Sequence, residues 1–291
     1  MSEMQASLAY KTKQIINKYE FSFKKNFGQN FLVDERVLDK IIASAEITDE
    51  DIVLEVGPGI GTLTQALAKK AKKVIAVEID KTLIPILQEL LSEYNNIQII
   101  NEDILKVDIA QLVKENGGKP LKVVANLPYY ITTPIIMNML EKKLPVESIT
   151  VMIQKEVAMR MQAKPGSKDY GALSLVVQYY CRPYLVANVP QNCFMPRPNV
   201  DSAVIRLTVL DEPAVKVENA EFMFGVIKAG FGQRRKTLLN CFYNCGGWEL
   251  DKETLTKVIN AAGFDERVRG ETLTLEDYAK LAEELSKYVK E

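Results

Sequence analysis

Short apolar runs alternate with stretches of helical spacing through the first half of the chain. Residues 52–56, 74–80, 97–101, 122–125 and 148–153 are runs of about five aliphatic positions that read as buried strands. Between and after them, Leu63, Ala66, Leu67 and Ala71, then Ile135, Ile136, Met139 and Leu140, recur at helical spacing. Such alternation predicts an α/β domain with a parallel sheet and helices on both faces. Upstream, the pattern over residues 2–20 reads as a helix with Leu8, Ile15, Ile16 and Tyr19 on one side. Asp34 caps another, whose buried stripe is Val37, Leu38, Ile41 and Ile42. Downstream, 156–180 turns helical through Leu173, Val176, Val177 and Tyr180, and 184–189 with 203–209 read as a closing pair of strands. After Asp211-Glu-Pro213 the pattern is helical with no strand. The division expected is therefore 1–210 for the α/β domain and 211–291 for a small all-α domain.

A chain of 291 residues is long enough for both. No apolar run approaches a membrane span, and no apolar leader opens the chain, so a cytoplasmic protein without membrane contact is expected. The net charge of -1 does not announce a nucleic-acid binder. Positive charge is nonetheless gathered at Lys11, Lys13, Lys18, Lys24 and Lys25, and again at Lys228, Arg234, Arg235 and Lys236. The second group is either a solvated helix end or a face for phosphates. The complete absence of histidine excludes imidazole bases and His-ligated metals. Cys181, Cys193, Cys241 and Cys245 make no CxxC pair, so reduced structural thiols and no metal are expected.

Candidate chemistry gathers at the strand ends. Gly57, Gly59 and Gly61 follow the first strand as G-x-G-x-G, which is not the G-x-G-x-x-G spacing of dinucleotide-binding proteins. The loop is either a plain strand-to-helix turn or a place where a ligand lies against the backbone. Glu55 suits a ligand with positive charge, such as the amino and sulfonium groups of S-adenosylmethionine. Glu78, about twenty residues beyond Gly57, stands where a carboxylate accepts ribose hydroxyls in doubly wound sheets. Asp103 can accept from an adenine amine. Phe21 to Phe31 reads either as a loop tucked onto the core or as a flap, with Gln29 and Asn30 giving hydrogen bonds.

Asn126-Leu127-Pro128-Tyr129 carries the most specific chemistry. An adenine N6 amine is a poor nucleophile because its lone pair is delocalised into the ring. Two acceptors on its hydrogens, the Asn126 side-chain oxygen and the Leu127 carbonyl, favour the nucleophilic form, while Pro128 aims the carbonyl and Tyr129 stacks on the base. No strong base is needed, so positioning carries the reaction. The bland alternative is a proline-bearing turn after a strand.

Glu55-Val-Gly-Pro-Gly-Ile-Gly61, Asn126-Leu-Pro-Tyr129 and Gln29-Asn-Phe-Leu32 together resemble the ribosomal RNA adenine N6,N6-dimethyltransferases, most closely their small-subunit type. Phe194-x-Pro196-x-Pro198-x-Val200 resembles that family's substrate-side loop, and Phe231 to Thr237 its basic C-terminal segment. The resemblance implies a Rossmann-like class I methyltransferase sheet with S-adenosylmethionine held by Asn30, Leu32, Gly57, Glu78, Asp103 and Asn126. It implies dimethylation of two adjacent adenosines near the 3′ end of 16S ribosomal RNA in a pre-30S or 30S particle, by a monomer. Phe194 is either a base-contacting ring or a core phenylalanine in a proline-braced loop. Three alternatives remain: a 23S RNA adenine methyltransferase of the resistance type, a non-catalytic RNA-binding assembly factor, and a dinucleotide oxidoreductase, which the glycine spacing disfavours.

Overall fold

Residues 7–19 and 28–289 are described by a computed structural model of the chain. The basic positions Lys24 and Lys25, and the loop from Phe21 through Phe27, lie outside them. The elements begin with α1 (Leu8–Lys18), β1 (Phe31–Leu32), α2 (Glu35–Ser44), β2 (Ile52–Val56), α3 (Thr62–Ala68), β3 (Lys73–Glu78) and α4 (Ile84–Leu90). They continue with β4 (Ile97–Asn101), α5 (Ile109–Glu115), β5 (Leu121–Asn126), α6 (Thr132–Glu141), β6 (Val146–Gln154) and α7 (Lys155–Gln162). Then come α8 (Ala172–Tyr180), β7 (Cys181–Val189), β8 (Phe194–Met195), β9 (Ser202–Val209), α9 (Ala220–Gly230), α10 (Leu238–Cys245), α11 (Lys252–Ala261) and α12 (Leu275–Ser286). No helix among the described residues is long and apolar enough to cross a membrane.

Seven strands form one sheet in the order β4-β3-β2-β5-β6-β9-β7. The first five are parallel neighbours, and β6 with β9 is antiparallel. Every residue of β2 is buried, as a parallel strand covered on both faces requires. Two loops pair in a way their sequences do not announce. Phe31 lies opposite Met195 and Leu32 opposite Phe194 in a two-stranded antiparallel ladder, and the Val33 amide donates to the Cys193 carbonyl at 2.8 Å.

By contact the chain divides into two compact units. One is the chain up to Ala158 with Tyr184–Val209, and the other is Met159–Pro183 with the chain from Leu210 on. The division by contact differs from a single cut at 210 in grouping 159–183 with the second unit. Pro165-Gly166 breaks the expected long helix there, giving α7 and α8. Tyr170, Leu175 and Tyr179 then join Met223, Phe242, Leu255, Tyr278 and Leu281 in the core of the second unit. The Tyr170 hydroxyl donates to the Leu273 carbonyl at 2.8 Å and the Tyr278 hydroxyl to the Gly270 carbonyl at 3.1 Å, so both buried phenols are satisfied.

At the amino end of β2, a buried ion cluster anchors the first unit. Asp51 is 2.9 Å from both Lys122 Nζ and Lys119 Nζ, and Lys122 also donates to the Glu46 carbonyl at 2.6 Å. Burial opposes ionisation of Asp51, but hydrogen bonds from Lys122, Lys119 and Thr48 outweigh it and hold the carboxyl well below the usual range. Asp51→Ala leaves the Lys122 ammonium buried without its main partner and is expected to cost about 3–5 kcal/mol. Because the carboxyl is held low, its contribution is complete above about pH 4 and is lost as pH falls further. Denaturant unfolding should therefore show a gap between variant and wild type at pH 7 that narrows below pH 4.

Candidate active site

The carboxyl ends of β2, β3 and β5 converge because their register aligns them: Glu55 pairs with Ala76, Val56 with Val77, and Leu54 with Val123. The chain leaves β2 through Gly57, whose amide donates to the Val77 carbonyl at 2.9 Å. Gly59 has φ +60°, and a Cβ there would lie 2.9 Å from the Phe31 ring, so only glycine lets β1 close over the loop. The cavity at this edge is lined by Gln29, Asn30, Leu32, Glu55, Gly57, Gly59, Glu78, Asp103, Asn126 and Pro128. The structure thus brings together every residue that the sequence reading assigned to the cofactor.

Asn126 closes one side. Its Nδ2 donates to the Asn30 carbonyl at 2.9 Å. A carbonyl only accepts, so this bond fixes which way the amide points and leaves Oδ1 as the acceptor turned away from Asn30. Leu127 buries its side chain and gives its amide to the Met152 carbonyl at 3.1 Å, which anchors the main chain carrying the second expected acceptor. The Pro128 carbonyl accepts from the Ile131 amide at 3.2 Å and the Thr132 hydroxyl at 3.0 Å, making the turn into α6.

Glu78 is buried at the opposite side. Its Oε1 accepts the Asp80 amide at 2.8 Å and its Oε2 the Gly59 amide at 3.3 Å, so the glycine loop and the carboxylate hold each other. Burial raises its pKa, and those amide bonds counter the rise in part. Glu55 is only 1% exposed and its Oε2 has no hydrogen-bond partner. Burial pushes its carboxyl up to about 8, the Thr64 hydroxyl counters part of the rise, and the Glu78 charge adds to it. Gln29 donates to Asp80 Oδ2 at 3.1 Å and Asn30 Nδ2 to the Gly28 carbonyl at 3.0 Å, which shape the strip entering β1. Asp103 Oδ1 accepts the Leu105 amide at 3.0 Å.

Several expected residues stand elsewhere. Phe194 is 3% exposed, packed with Leu32, Val37 and Ile41, and does not line the cavity. Its pairing with β1 draws the ring into the core, so this conformation offers no Phe194 face to a base. Pro196 is exposed on the same loop. Tyr129 is half-buried, with its hydroxyl 2.6 Å from Ser202 Oγ. The ring on the cavity wall belongs instead to Tyr130, which is 58% exposed. Ile79 also lines the cavity while 46% exposed. Its signal was an apolar residue set between Glu78 and Asp80, whereas nothing in two adjacent tyrosines says which ring faces inward.

In the second unit, Lys228, Arg235 and Lys236 are exposed. Arg234 is not available in the same sense. Its guanidinium donates to the Lys168 carbonyl and lies 3.5 Å from Glu271, and its own carbonyl accepts from Arg269 at 2.6 Å. It ties loops together while its side chain stays about half exposed, at 49%.

Burying an unpartnered carboxyl costs stability, with a definite pH dependence. Glu55 titrates near 8 folded and near its ordinary 4.5 unfolded, so the cost is absent below about pH 4.5 and grows until pH 8. Glu55→Gln keeps the shape without the charge and is expected to stabilise the protein by on the order of 3–5 kcal/mol at pH 8. Unfolding at pH 4.5 and pH 8 checks this: an advantage that does not shrink at the lower pH would mean Glu55 is ionised at both.

With this geometry in view, comparison with known proteins is direct. A family model described as Ribosomal RNA adenine dimethylase matches residues 20–287. A protein of Lachnoclostridium phytofermentans named Ribosomal RNA small subunit methyltransferase A is 62% identical over 281 residues, 96% of this chain and 97% of that one. Its namesake in Clostridioides difficile is 54% identical over 273 residues, 93% of each. Among solved structures, a dimethyladenosine transferase from Plasmodium falciparum aligns at TM-score 0.74 and 29% identity, over 89% of this chain and 98% of that one. The 23S rRNA methyltransferase ErmE aligns at TM-score 0.67 and 28% identity, over 88% and 99%. These alignments make the sheet a Rossmann-like class I methyltransferase fold followed by a helical C-terminal part. The chain belongs to the ribosomal RNA adenine dimethylase family.

Proposed function

We propose that this chain dimethylates N6 of two adjacent adenosines near the 3′ end of 16S ribosomal RNA, in a pre-30S or 30S particle in the cytoplasm, with S-adenosylmethionine as donor. The observation that carries the reading is the Asn126 amide. Its nitrogen is committed to the Asn30 carbonyl, so its oxygen is oriented to accept from an amine before any substrate arrives. The names of the relatives at 51–62% identity support the small subunit over the large one.

The residues present fit that donor. When bound, S-adenosylmethionine supplies an electrophilic methyl group on a cationic sulfur. Glu78, fixed by the Gly59 and Asp80 amides, would hold ribose hydroxyls, and Asp103 would take the adenine amine. Nothing lies within 4 Å of where a Gly57 Cβ would stand, which leaves room for a ligand against the backbone. Glu55, with an unpartnered oxygen in a buried wall, suits a cation. Asn126 Oδ1 and the Leu127 carbonyl accept the two hydrogens of the target amine and favour its nucleophilic form. The ring on the cavity wall is that of Tyr130, while Tyr129, with its hydroxyl on Ser202, would have to turn toward the cavity to stack on the base.

Two experiments test this. Particles whose RNA lacks these methyl groups, offered radiolabelled donor, should take label into 16S RNA as dimethyladenosine. Asn126→Ala should lower the single-turnover rate by roughly a hundredfold or more. Label in 23S RNA would favour the resistance-type reading, and binding without label would favour a non-catalytic assembly factor. The second concerns the exposed basic residues. If Arg235 and Lys236 meet phosphates, neutralising both should lower the slope of log affinity against log salt by roughly 1.4–1.8, without changing donor affinity. An unchanged slope would place the RNA-binding face elsewhere.

A further inference from the structure

Glu55 sits on the wall of a cavity whose charged lining residues are Glu55, Glu78, Glu102 and Asp103, with no lysine or arginine among the described lining residues. The elements around it bring one further charge to bear on its carboxyl, that of Glu78 on β3. Thr64 of α3 is a neutral hydroxyl, and Asn126 of β5 shares the cavity as a neutral amide. Oε2 is buried without a partner. A carboxyl so placed is stable as the acid while the cavity holds no cation, and as the carboxylate when a cation lies beside it.

We infer that Glu55 is the residue that tells the methyl donor from its spent product: it binds the sulfonium as a carboxylate, releasing one proton, and holds the thioether as the neutral acid. This rests on the donor proposed above. The two ligands carry the same amino and carboxylate groups, and what separates them is one methyl group and the positive charge it places on sulfur. When the amine lone pair takes the methyl group, the electron pair of the S–C bond returns to sulfur, and the amine sheds its proton to water. Glu55 is then an unpartnered carboxylate facing Glu78 and takes a proton from water. Neutral product leaves the negative lining without a counter-charge, so Glu55 shifts the balance of affinity toward the donor.

The sign of the pH effect follows. Donor binding competes with the proton on Glu55, so donor affinity should rise nearly tenfold per pH unit between about pH 6 and 7.5 and level off above 8, whereas product affinity should be flat.

Titration calorimetry on the full-length protein tests this, with S-adenosylmethionine and S-adenosylhomocysteine each measured at pH 7 in phosphate and in Tris. The difference in heat between buffers counts protons. The expected result is close to one proton released for the donor and close to none for the product. Glu55→Gln should abolish the release and lower the donor-to-product affinity ratio by about tenfold or more at pH 8, with product affinity kept as a sign of an intact site. Equal release with both ligands would assign the sensed charge to the shared amino group and overturn the inference, as would no release with either. The wild-type buffer comparison decides these outcomes even if the variant fails to fold. If neither ligand binds, it is the donor assignment that fails.

Discussion

The parallel register of β3, β2 and β5 decides which atoms can meet a ligand. It sets Glu55, Glu78 and Asn126 at one edge of the sheet, and a slip of a single residue would turn each of these side chains to the opposite face. At the far end of the same strands, Asp51 and Lys122 form a buried pair that only this alignment satisfies. The structural anchor and the chemical edge are two readouts of one alignment, separated by the length of β2. The glycine loop then adds direction, because Phe31 on Gly59 and the Gly59 amide on Glu78 lock the strip before β2 and the end of β3 to the same turn.

The two acids of the edge are treated differently by their surroundings. Glu78 receives two backbone amides, so its oxygens are aimed and part of its burial cost is offset. Glu55, one strand over, is left with an oxygen that nothing in the protein satisfies. Folding alone would favour a partner there or an apolar residue. Leaving the oxygen unmatched keeps the edge poised for a ligand at the expense of stability, a trade recurrent at functional sites.

Much of this was legible in the sequence because it is local. Apolar runs, the Gly57-Gly59-Gly61 spacing and the turn at Asn126 each follow from neighbours in the chain, and the strand ends they mark are where ligands meet parallel sheets. What was not legible depends on pairing across long separations. The short ladder between Phe31-Leu32 and Phe194-Met195 joins two loops whose compositions advertise nothing, and that pairing takes Phe194 out of reach of a base. Likewise Arg234 reads as one more surface cation until Glu271 and the Lys168 carbonyl are seen around it.

The second unit is built from two separated stretches, Met159–Pro183 and the chain from Leu210 on, and that has a consequence for synthesis. Tyr170, Leu175 and Tyr179 leave the ribosome well before Tyr278 and Leu281, their partners in one core. At roughly 5–20 residues per second, the hundred or so intervening residues take on the order of 5–20 s to appear. Met223 and Phe224 of α9 are made partway through that interval, and until α12 follows the aromatic face is only partly covered. A fragment ending near Val209 would carry that uncovered face permanently, so the helical unit is not a module that can be cut away at the linker and leave a sound enzyme core behind.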